Sequence, residues 1–556
     1  MKLVDNSKWI LVIGIACILL KIFIIDIDLP NYRIASYQPL DEIYYVTKAM
    51  NLYKTGSLDN FDKPGIMASP IITNVFTYFT LLVFGNNYTG LRFSSILFAL
   101  ISVCFFYLTL KKVTKNNLFL LAGILLLVFN YPFTLSNIVV EPTIARMAAA
   151  LTSLYLLMLW AEKNRDTFLS IFTLTTICVL LWLFTYPTNA FVVLALTIVV
   201  FFAGNVSYKV RIKRTIPISV GILFSILIFY VFCLFFGNNF YDTFLAGHDG
   251  KVGFILTEYG DRVGFSIGKI FTNCFYIFKA NIFRFNPLLL FLFILSTLVV
   301  LKSKWKNFLN KDEMIPWIFY SCFILQTFFI NDTPQRKLIF LLPFVIFVVI
   351  QFFETTNENK KRSISNVILT IVSLLILTSV ALGQKYFTMA INKELLFLSV
   401  IGLICVCWYF FIKKHTIPII SIFAILLLTE SYNTYRFSLK NVTKHYKETF
   451  IYLDKLKNKK FIGGFSMGFV LYNTNTAYFN FYNYAGHHQN KSLRDKIEKM
   501  AIESSEIDYM IGYEPDSLDI LNPRFEKKEI LMPVEITVSS GVIVNRNVIL
   551  YVEKDN

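Results

Sequence analysis

Long apolar segments constrain this chain more than any other feature of its sequence. Of the 556 residues, 56% are hydrophobic and only 16% are charged. A helix that spans a bilayer needs about 20 mostly apolar residues, and segments of this kind recur as far as about residue 430. The sequence therefore predicts a polytopic α-helical membrane protein with about 13 transmembrane helices. The predicted spans are 9–25, 91–110, 118–132, 142–160, 168–184, 190–202, 215–236, 287–301, 315–330, 338–353, 367–382, 395–412 and 417–428.

The distribution of basic residues supports this topology. The formal net charge is +17, which on a soluble domain would suggest nucleic-acid binding, whereas in membrane proteins Lys and Arg accumulate in cytoplasmic loops. If the N-terminus is cytoplasmic, every connection predicted to lie inside is short and basic, and the alternation continues without a skipped span. These basic residues are Lys111, Lys112, Lys115, Lys163, Arg165, Lys209, Arg211, Lys213, Arg214, Lys302, Lys304, Lys306, Lys311, Lys360, Lys361, Arg362, Lys413 and Lys414.

The same topology places the long connections on the outer face. Residues 1–431 form the predicted transmembrane domain, with outer loops at 26–90 and 237–286. Residues 432–556 are predicted to form a small extracytoplasmic α/β domain, because charges become frequent and short β-like runs flank a helical stretch near 492–501. The β-like runs are 461–465, 477–482, 507–513, 535–538 and 548–552.

The first outer loop begins with two neighbouring carboxylates, Asp41 and Glu42. Apolar residues then recur at helical spacing, and Gly56 is a suitable stop, so we expect a surface helix that starts at these carboxylates. The residues with this spacing are Ile43, Val46, Met50 and Tyr53. A second apolar stretch, 70–84, is too short for a convincing span and predicts an interfacial helix on the outer leaflet.

Further ionisable residues fall at or near predicted outer ends of spans. Charges at membrane depth are costly, so they usually line a cavity or pair with one another. Each has a structural alternative: Asp41 could cap its helix, Arg92 or Lys21 could extend to the membrane surface, and Glu141 could cap the span that follows. Taken together they indicate a polar site on the outer side. The residues are Lys63, Arg92, Glu141, Arg146, Arg336 and Lys337.

The order of short motifs resembles superfamily C glycosyltransferases of the aminoarabinose-transferase and protein O-mannosyltransferase group. Glu141 is similar to the group's second acidic position. The chain departs from the family at Gly65, where a second proline is more frequent, and at Leu40, where an aromatic residue often precedes the aspartate. The motifs are Asp41-Glu42, Lys63-Pro64-Gly65, Phe84-Gly85, Gly90-Leu91-Arg92-Phe93-Ser94-Ser95 and Arg336-Lys337-Leu338-Ile339-Phe340-Leu341-Leu342-Pro343.

This resemblance implies an integral-membrane inverting glycosyltransferase. It would move a sugar from a polyprenyl-phosphate carrier to a lipid, glycan or protein acceptor on the outer face. Frequent Lys, Asn, Ile and Phe suggest an AT-rich genome and favour a bacterial inner membrane. Asp41 is the expected catalytic base, since it could accept the proton of an attacking hydroxyl. The expected substrate-binding residues are Glu42, Lys63, Arg92, Glu141, Arg336 and Lys337.

No cofactor is expected, although two alternatives stay open. Acidic residues and a histidine cluster in the outer loop 237–286, but their spacing matches no metal motif, so a solvated loop is favoured over a divalent-metal site. A transporter or flippase of envelope precursors would also need many spans and buried charges, but such sites tend to lie near the membrane midplane. The loop residues are Asp242, His248, Asp249, Glu258 and Asp261.

Overall fold

A computed structural model describes most of the predicted spans and five strands near the C-terminus. The described residues are 7–25, 46, 49, 50, 52, 53, 56, 71–140, 142–163, 166–185, 191–202, 206–235, 286–304, 314–329, 339–358, 393–411, 416–435, 452, 455, 456, 460–463, 476–480, 509–513, 525–537 and 543–553.

The described helices follow one another in the order of the predicted spans. They are α1 (Lys8–Leu19, continued by a 3₁₀ helix at Leu20–Ile24), α2 (Ile71–Phe84), α3 (Tyr88–Val113), α4 (Asn117–Phe129), α5 (Tyr131–Asn137), α6 (Pro142–Lys163), α7 (Phe168–Thr185), α8 (Phe191–Phe202), α9 (Tyr208–Phe235), α10 (Pro287–Lys304), α11 (Ile315–Phe329), α12 (Leu342–Glu358), α13 (Lys393–Phe411) and α14 (Thr416–Thr434).

Each predicted span within the described residues coincides with a helix, while span 367–382 lies outside them. Six of the described helices are long and apolar enough to cross a membrane, or seven if the bent pair α4 and α5 counts as one span. The chain is therefore an integral membrane protein with a mostly helical fold. The total of 13 spans and the inside–outside orientation stay predictions.

Two of the differences between predicted spans and observed helices concern the start of α9 and the end of α4. Helix α9 begins at Tyr208 rather than at 215, because its first turns carry basic side chains: Arg214 donates to the Val200 carbonyl and to the Asp166 carboxylate. The predicted span 118–132 ends at Phe129, and α5 continues at an angle of 59°. Pro132 has no N–H for helix continuation, and Asn130 caps α5, so the chain bends there.

Helix α2 presents apolar side chains outward and polar side chains inward. Thr73, Asn74, Thr77 and Thr80 are buried against the rest of the protein. The exposed side chains Val75, Phe79, Leu82 and Val83 form a stripe along the other face. This inverted pattern suits a helix that contacts lipid and confirms helix formation over the stretch predicted to be interfacial.

The strands near the C-terminus form one five-stranded sheet. They are β1 (Lys460–Gly463), β2 (Thr476–Asn480), β3 (Tyr509–Tyr513), β4 (Phe525–Thr537) and β5 (Ile543–Glu553). The strand order is β2-β1-β3-β5-β4, in which β1 pairs parallel with β2 and β3, and β5 pairs antiparallel with β3 and β4. All five β-like runs thus contribute to strands, although the domain boundary at 432 and an extracytoplasmic position stay predictions.

Candidate functional site

The segment that follows Asp41 and Glu42 packs against three other predicted outer elements. We call this contact the outer cluster, since its members lie in or next to segments predicted to be on the outer side. The backbone N–H of Ala49 also donates to Asn74 Oδ1 at 3.0 Å, which ties the segment to α2. The outer cluster consists of Val46, Ala49, Met50, Leu81, Leu91 and Val140, all fully or almost fully buried.

Gly56 ends this segment as the sequence predicts. Its φ angle is +69°, a conformation that glycine adopts without strain, and its N–H donates to the Leu52 carbonyl at 3.0 Å. Residues 46, 49, 50, 52 and 53 are helical. The spacing of Val46, Met50 and Tyr53 therefore does produce one inward face, which holds the described part of this helix in place, while its start near the two carboxylates stays a prediction.

The motif glycines build the tight turn between α2 and α3. Gly85 has a φ angle of +80°. A Cβ atom at Gly90 would lie far inside van der Waals contact of the Gly85 carbonyl oxygen, so that position has room only for glycine. Asn87 closes the turn, since its Oδ1 accepts from Gly90 N at 2.8 Å and its Nδ2 donates to the Phe84 carbonyl at 2.6 Å.

The residues after Gly90 connect α3 to three neighbouring elements. Arg92 donates to the Ile25 carbonyl at 2.8 Å, and its guanidinium lies 4.4 Å from the Tyr88 ring centroid. Ser94 accepts a hydrogen bond from Thr77 at 2.9 Å. Ser95 donates to the Val139 carbonyl at 2.6 Å, directly before Val140 of the outer cluster. This motif therefore links α3 to Ile25, to α2 and to the segment after α5. A substrate contact for Arg92 stays a prediction.

A second contact joins α6 to the late motif region at 336–343. Arg146 of α6 is buried, and its guanidinium lies 5.8 Å from the ring centroid of Phe340. Phe340 belongs to the segment that begins with Arg336 and Lys337. The start of α6, which follows Glu141 in sequence, therefore contacts the described part of the segment 336–343.

Lys21 is buried and does not extend to the membrane surface, in contrast to the alternative considered from sequence. Its ammonium group donates to the Val128 carbonyl at 2.8 Å and to Thr134 Oγ1 at 3.1 Å. It also lies 5.2 Å from the ring centroid of Phe133. Arg92, of which only 3% is exposed, likewise remains inside the protein.

Sequence reasoning missed two buried polar side chains near the bend between α4 and α5. Glu430 of α14 is fully buried and accepts hydrogen bonds at both carboxylate oxygens. Asn137 is also fully buried, and within the part of the chain that the structure describes its side-chain amide has no hydrogen-bond partner. The available signal for Glu430 was a lone acidic residue two positions after the last predicted span, 417–428.

Most of the predicted site residues themselves lie outside the described residues. Arg92 is the one described member of the predicted set, so the roles assigned to the others stay predictions. For the described residues, no group of His, Cys, Asp and Glu is arranged to hold a metal ion. The predicted site residues outside the described part of the chain are Asp41, Glu42, Lys63, Glu141, Arg336 and Lys337, and the loop residues Asp242, His248, Asp249, Glu258 and Asp261 lie outside it as well.

Comparison with known proteins finds a family match over part of the chain and similar folds. Residues 68–235 match the family model of dolichyl-phosphate-mannose-protein mannosyltransferases. The fold is similar to ArnT from Cupriavidus metallidurans bound to undecaprenyl phosphate, with a TM-score of 0.55, 11% identity and 98% of each chain covered. An Archaeoglobus fulgidus oligosaccharyltransferase in the apo form has a TM-score of 0.47 and 11% identity, covering 91% of this chain and 69% of its own. No curated protein sequence matches the chain.

The family model and the similar fold support the resemblance to superfamily C membrane glycosyltransferases. The matched segment 68–235 contains α2 to α9, and so includes the glycine turn and the bend between α4 and α5.

Proposed function

We propose that this protein is an inverting glycosyltransferase that moves a sugar from a polyprenyl-phosphate carrier to an acceptor on the outer face of a bacterial inner membrane. The acceptor is a lipid, glycan or protein that presents a nucleophile. The observation that carries the proposal is the convergence of motifs: the outer cluster joins Val46, Leu91 and Val140, and Arg146 joins Phe340. The matched family and the fold neighbour crystallised with undecaprenyl phosphate support the donor class.

In the proposed reaction, Asp41 accepts the proton of an acceptor hydroxyl as its oxygen attacks the anomeric carbon. The bond from that carbon to the phosphate oxygen breaks, and the electron pair leaves with the phosphate, which needs no proton. Attack from the opposite side inverts the anomeric centre. One carboxylate therefore suffices, in contrast to glycoside hydrolysis, where the departing alcohol must be protonated.

Cationic side chains would stabilise the charge that grows on the leaving phosphate. Lys63, Arg336 and Lys337 are assigned to this role. Arg92 is assigned to substrate binding as well. Glu42 and Glu141 are assigned to positioning the sugar or the acceptor. Asp41 and Glu42 point about 100° apart on a helix, so they cannot both face one reacting atom.

The family match favours this function over a transporter or flippase. A direct test combines cells that lack the protein with a plasmid encoding either wild type or Asp41→Asn, followed by mass spectrometry of envelope lipids, glycans and glycoproteins. Asparagine caps a helix about as well as aspartate does, so the change removes the base and spares a capping role. We expect wild type to restore a one-sugar mass increment and Asp41→Asn to lower the transfer rate about 10²–10⁴-fold.

Asp59→Asn is the matched control, because it removes a carboxylate from the same outer loop outside the motifs. It should restore the increment fully. If Asp41→Asn is expressed at the wild-type level and restores the increment equally well, the assignment of Asp41 as base is wrong. If wild type changes no glycan at all, the transporter function moves ahead.

A further inference from the structure

The bend between α4 and α5 leaves backbone groups of both helices without their usual partners. In a continuous helix the N–H of residue 132 would donate to the carbonyl of Val128. Residue 132 is proline, which has no N–H, so the Val128 carbonyl loses that backbone donor and accepts instead from side chains, one of which is the Thr134 hydroxyl at 3.2 Å. At the start of α5, the Tyr131 N–H is one of the donors that every helix N-terminus leaves unpaired. Inside a membrane such groups need other partners.

Two charged side chains that are distant from the bend in sequence, one before it and one after it, supply such partners. The Lys21 ammonium donates to the Val128 carbonyl at 2.8 Å and also to Thr134 Oγ1 on the far side of the bend. Glu430 Oε2 accepts from the Tyr131 N–H at 3.0 Å. Its Oε1 accepts from Asn286 Nδ2 at 2.8 Å, and Asn130 is a further hydrogen-bond partner.

The signs of these charges match the two helix dipoles. The carbonyl end of a helix carries partial negative charge, and its N–H end carries partial positive charge. Lys21 lies at the carbonyl end of α4, and Glu430 lies at the N–H end of α5. Both side chains are buried, with 8% and none of their surface exposed respectively. Their interactions with the helix ends are therefore weakly screened by solvent.

The bend determines where α5 leads. Shortly after α5, the Val139 carbonyl accepts from Ser95 and Val140 packs in the outer cluster, directly before Glu141. We propose that Lys21 and Glu430 are positioning residues of the transfer reaction: they hold the bend and thereby place Val139 and Val140, the residues that precede Glu141 in sequence, against α3 and the helical segment at Val46. This inference rests on the proposed function for its catalytic consequence, but the bend itself can be tested without it.

Hydrogen–deuterium exchange of the purified full-length protein tests the bend directly. The variants are Lys21→Met and Glu430→Gln; a glutamine could accept from Tyr131 only by turning its own amide NH₂ toward the Asn286 donor. We expect each variant to speed amide exchange over 131–140 about tenfold or more, since a hydrogen bond to a charged group is lost. Exchange in α7 should not change. The control is Lys112→Met and Glu162→Gln, the same chemical changes in a pair whose Glu162 is exposed.

Unchanged exchange over 131–140 in both folded variants would overturn the inference. If Lys21→Met does not fold, the double variant Lys21→Met/Pro132→Ala returns a backbone N–H to the Val128 carbonyl. That double variant should fold; failure to fold, when Pro132→Ala alone does fold, would show that Lys21 does not replace the missing donor.

Transfer kinetics then test the catalytic consequence. We expect kcat to fall about tenfold or more in both variants while the donor KM changes less than about threefold, because the groups that contact the donor are retained. Faster exchange with unchanged kcat would overturn the positioning role. A wild-type protein without transfer activity would instead refute the proposed function, and the exchange result would still decide whether the two charges hold the bend.

Discussion

Two segments near the predicted outer side are held in opposite ways. The turn between α2 and α3, residues 84–90, closes on itself: Gly85 N bonds to Leu81, and Asn87 bonds to Phe84 and Gly90. The bend between α4 and α5, residues 128–134, depends on Lys21 and Glu430, which lie 107 and 299 residues from their backbone partners. The turn is therefore encoded in a short sequence motif, whereas the bend, which Pro132 and Asn130 begin locally, is completed by side chains from two distant parts of the chain.

This difference leads to different consequences of substitution. The turn should fail when its own backbone geometry is changed, and a change elsewhere in the chain should have little effect on it. The bend should weaken when a distant side chain is changed, because the hydrogen bonds within residues 128–134, from Thr134 Oγ1 to the Val128 carbonyl and from the Phe133 N–H to Asn130 Oδ1, join uncharged groups and do not replace the lost charge.

The largest effect is expected at Gly90. The Gly90→Ala substitution would force the turn open, since the added Cβ meets the Gly85 carbonyl, a backbone group that cannot move without the chain. We expect a loss of about 4 kcal/mol or more, at the upper end for single substitutions. Thermal unfolding of the purified protein measures it.

Gly402→Ala is the matched control for this substitution. There the added Cβ also comes too close to a neighbour, but the neighbour is the flexible end of the Leu288 side chain. Overpacking of that kind costs about 1–3 kcal/mol. Equal destabilisation by the two substitutions would contradict the view that the turn is fixed by its own backbone.

The helical fold was predictable because membrane spans have a strong local signal. Twenty or so apolar residues, with basic residues at alternate connections, predict a helix without any knowledge of its neighbours. The bounds were less accurate at α9, where basic side chains extend the helix, and at Pro132, where the apolar run continues but the helix does not. Hydropathy does not report on backbone hydrogen bonding, which decides both cases.

The candidate site was predictable where its residues serve the local chain. The spacing of Val46, Met50 and Tyr53 and the stop at Gly56 were confirmed, because a helix face and a positive φ angle depend on nearby residues. Lys21 was the opposite case, since its length and terminal position suggest an exposed ammonium group. Its acceptor is a carbonyl that a proline 111 residues later has deprived of its donor. Only the folded structure brings the two together.

The second largest effect is expected at the bend. Glu430→Leu removes the acceptor of both the Tyr131 N–H and the Asn286 amide and leaves these donors buried. We expect a loss of about 3 kcal/mol in stability, because each unpaired buried donor is costly. The measurement is thermal unfolding, with Glu162→Leu as the control. Because 59% of the Glu162 side chain is exposed, that control should hardly change stability. Similar unfolding temperatures for both variants would mean that the bend does not depend on its distant carboxylate.

The smallest effect is expected at Asn87, and it compares the turn with an ordinary helix start. Asn87→Ala removes the cap of α3 and should cost about 1 kcal/mol, as should Asn116→Ala, which removes the cap of α4. However, Asn87 Nδ2 also donates to the Phe84 carbonyl, a bond that Asn116 does not share within the described residues. We therefore expect Asn87→Ala to lower the unfolding temperature slightly more than Asn116→Ala. A smaller effect at Asn87 would mean that the two glycines alone hold the turn, so its local stability would come from backbone geometry rather than from side-chain hydrogen bonds.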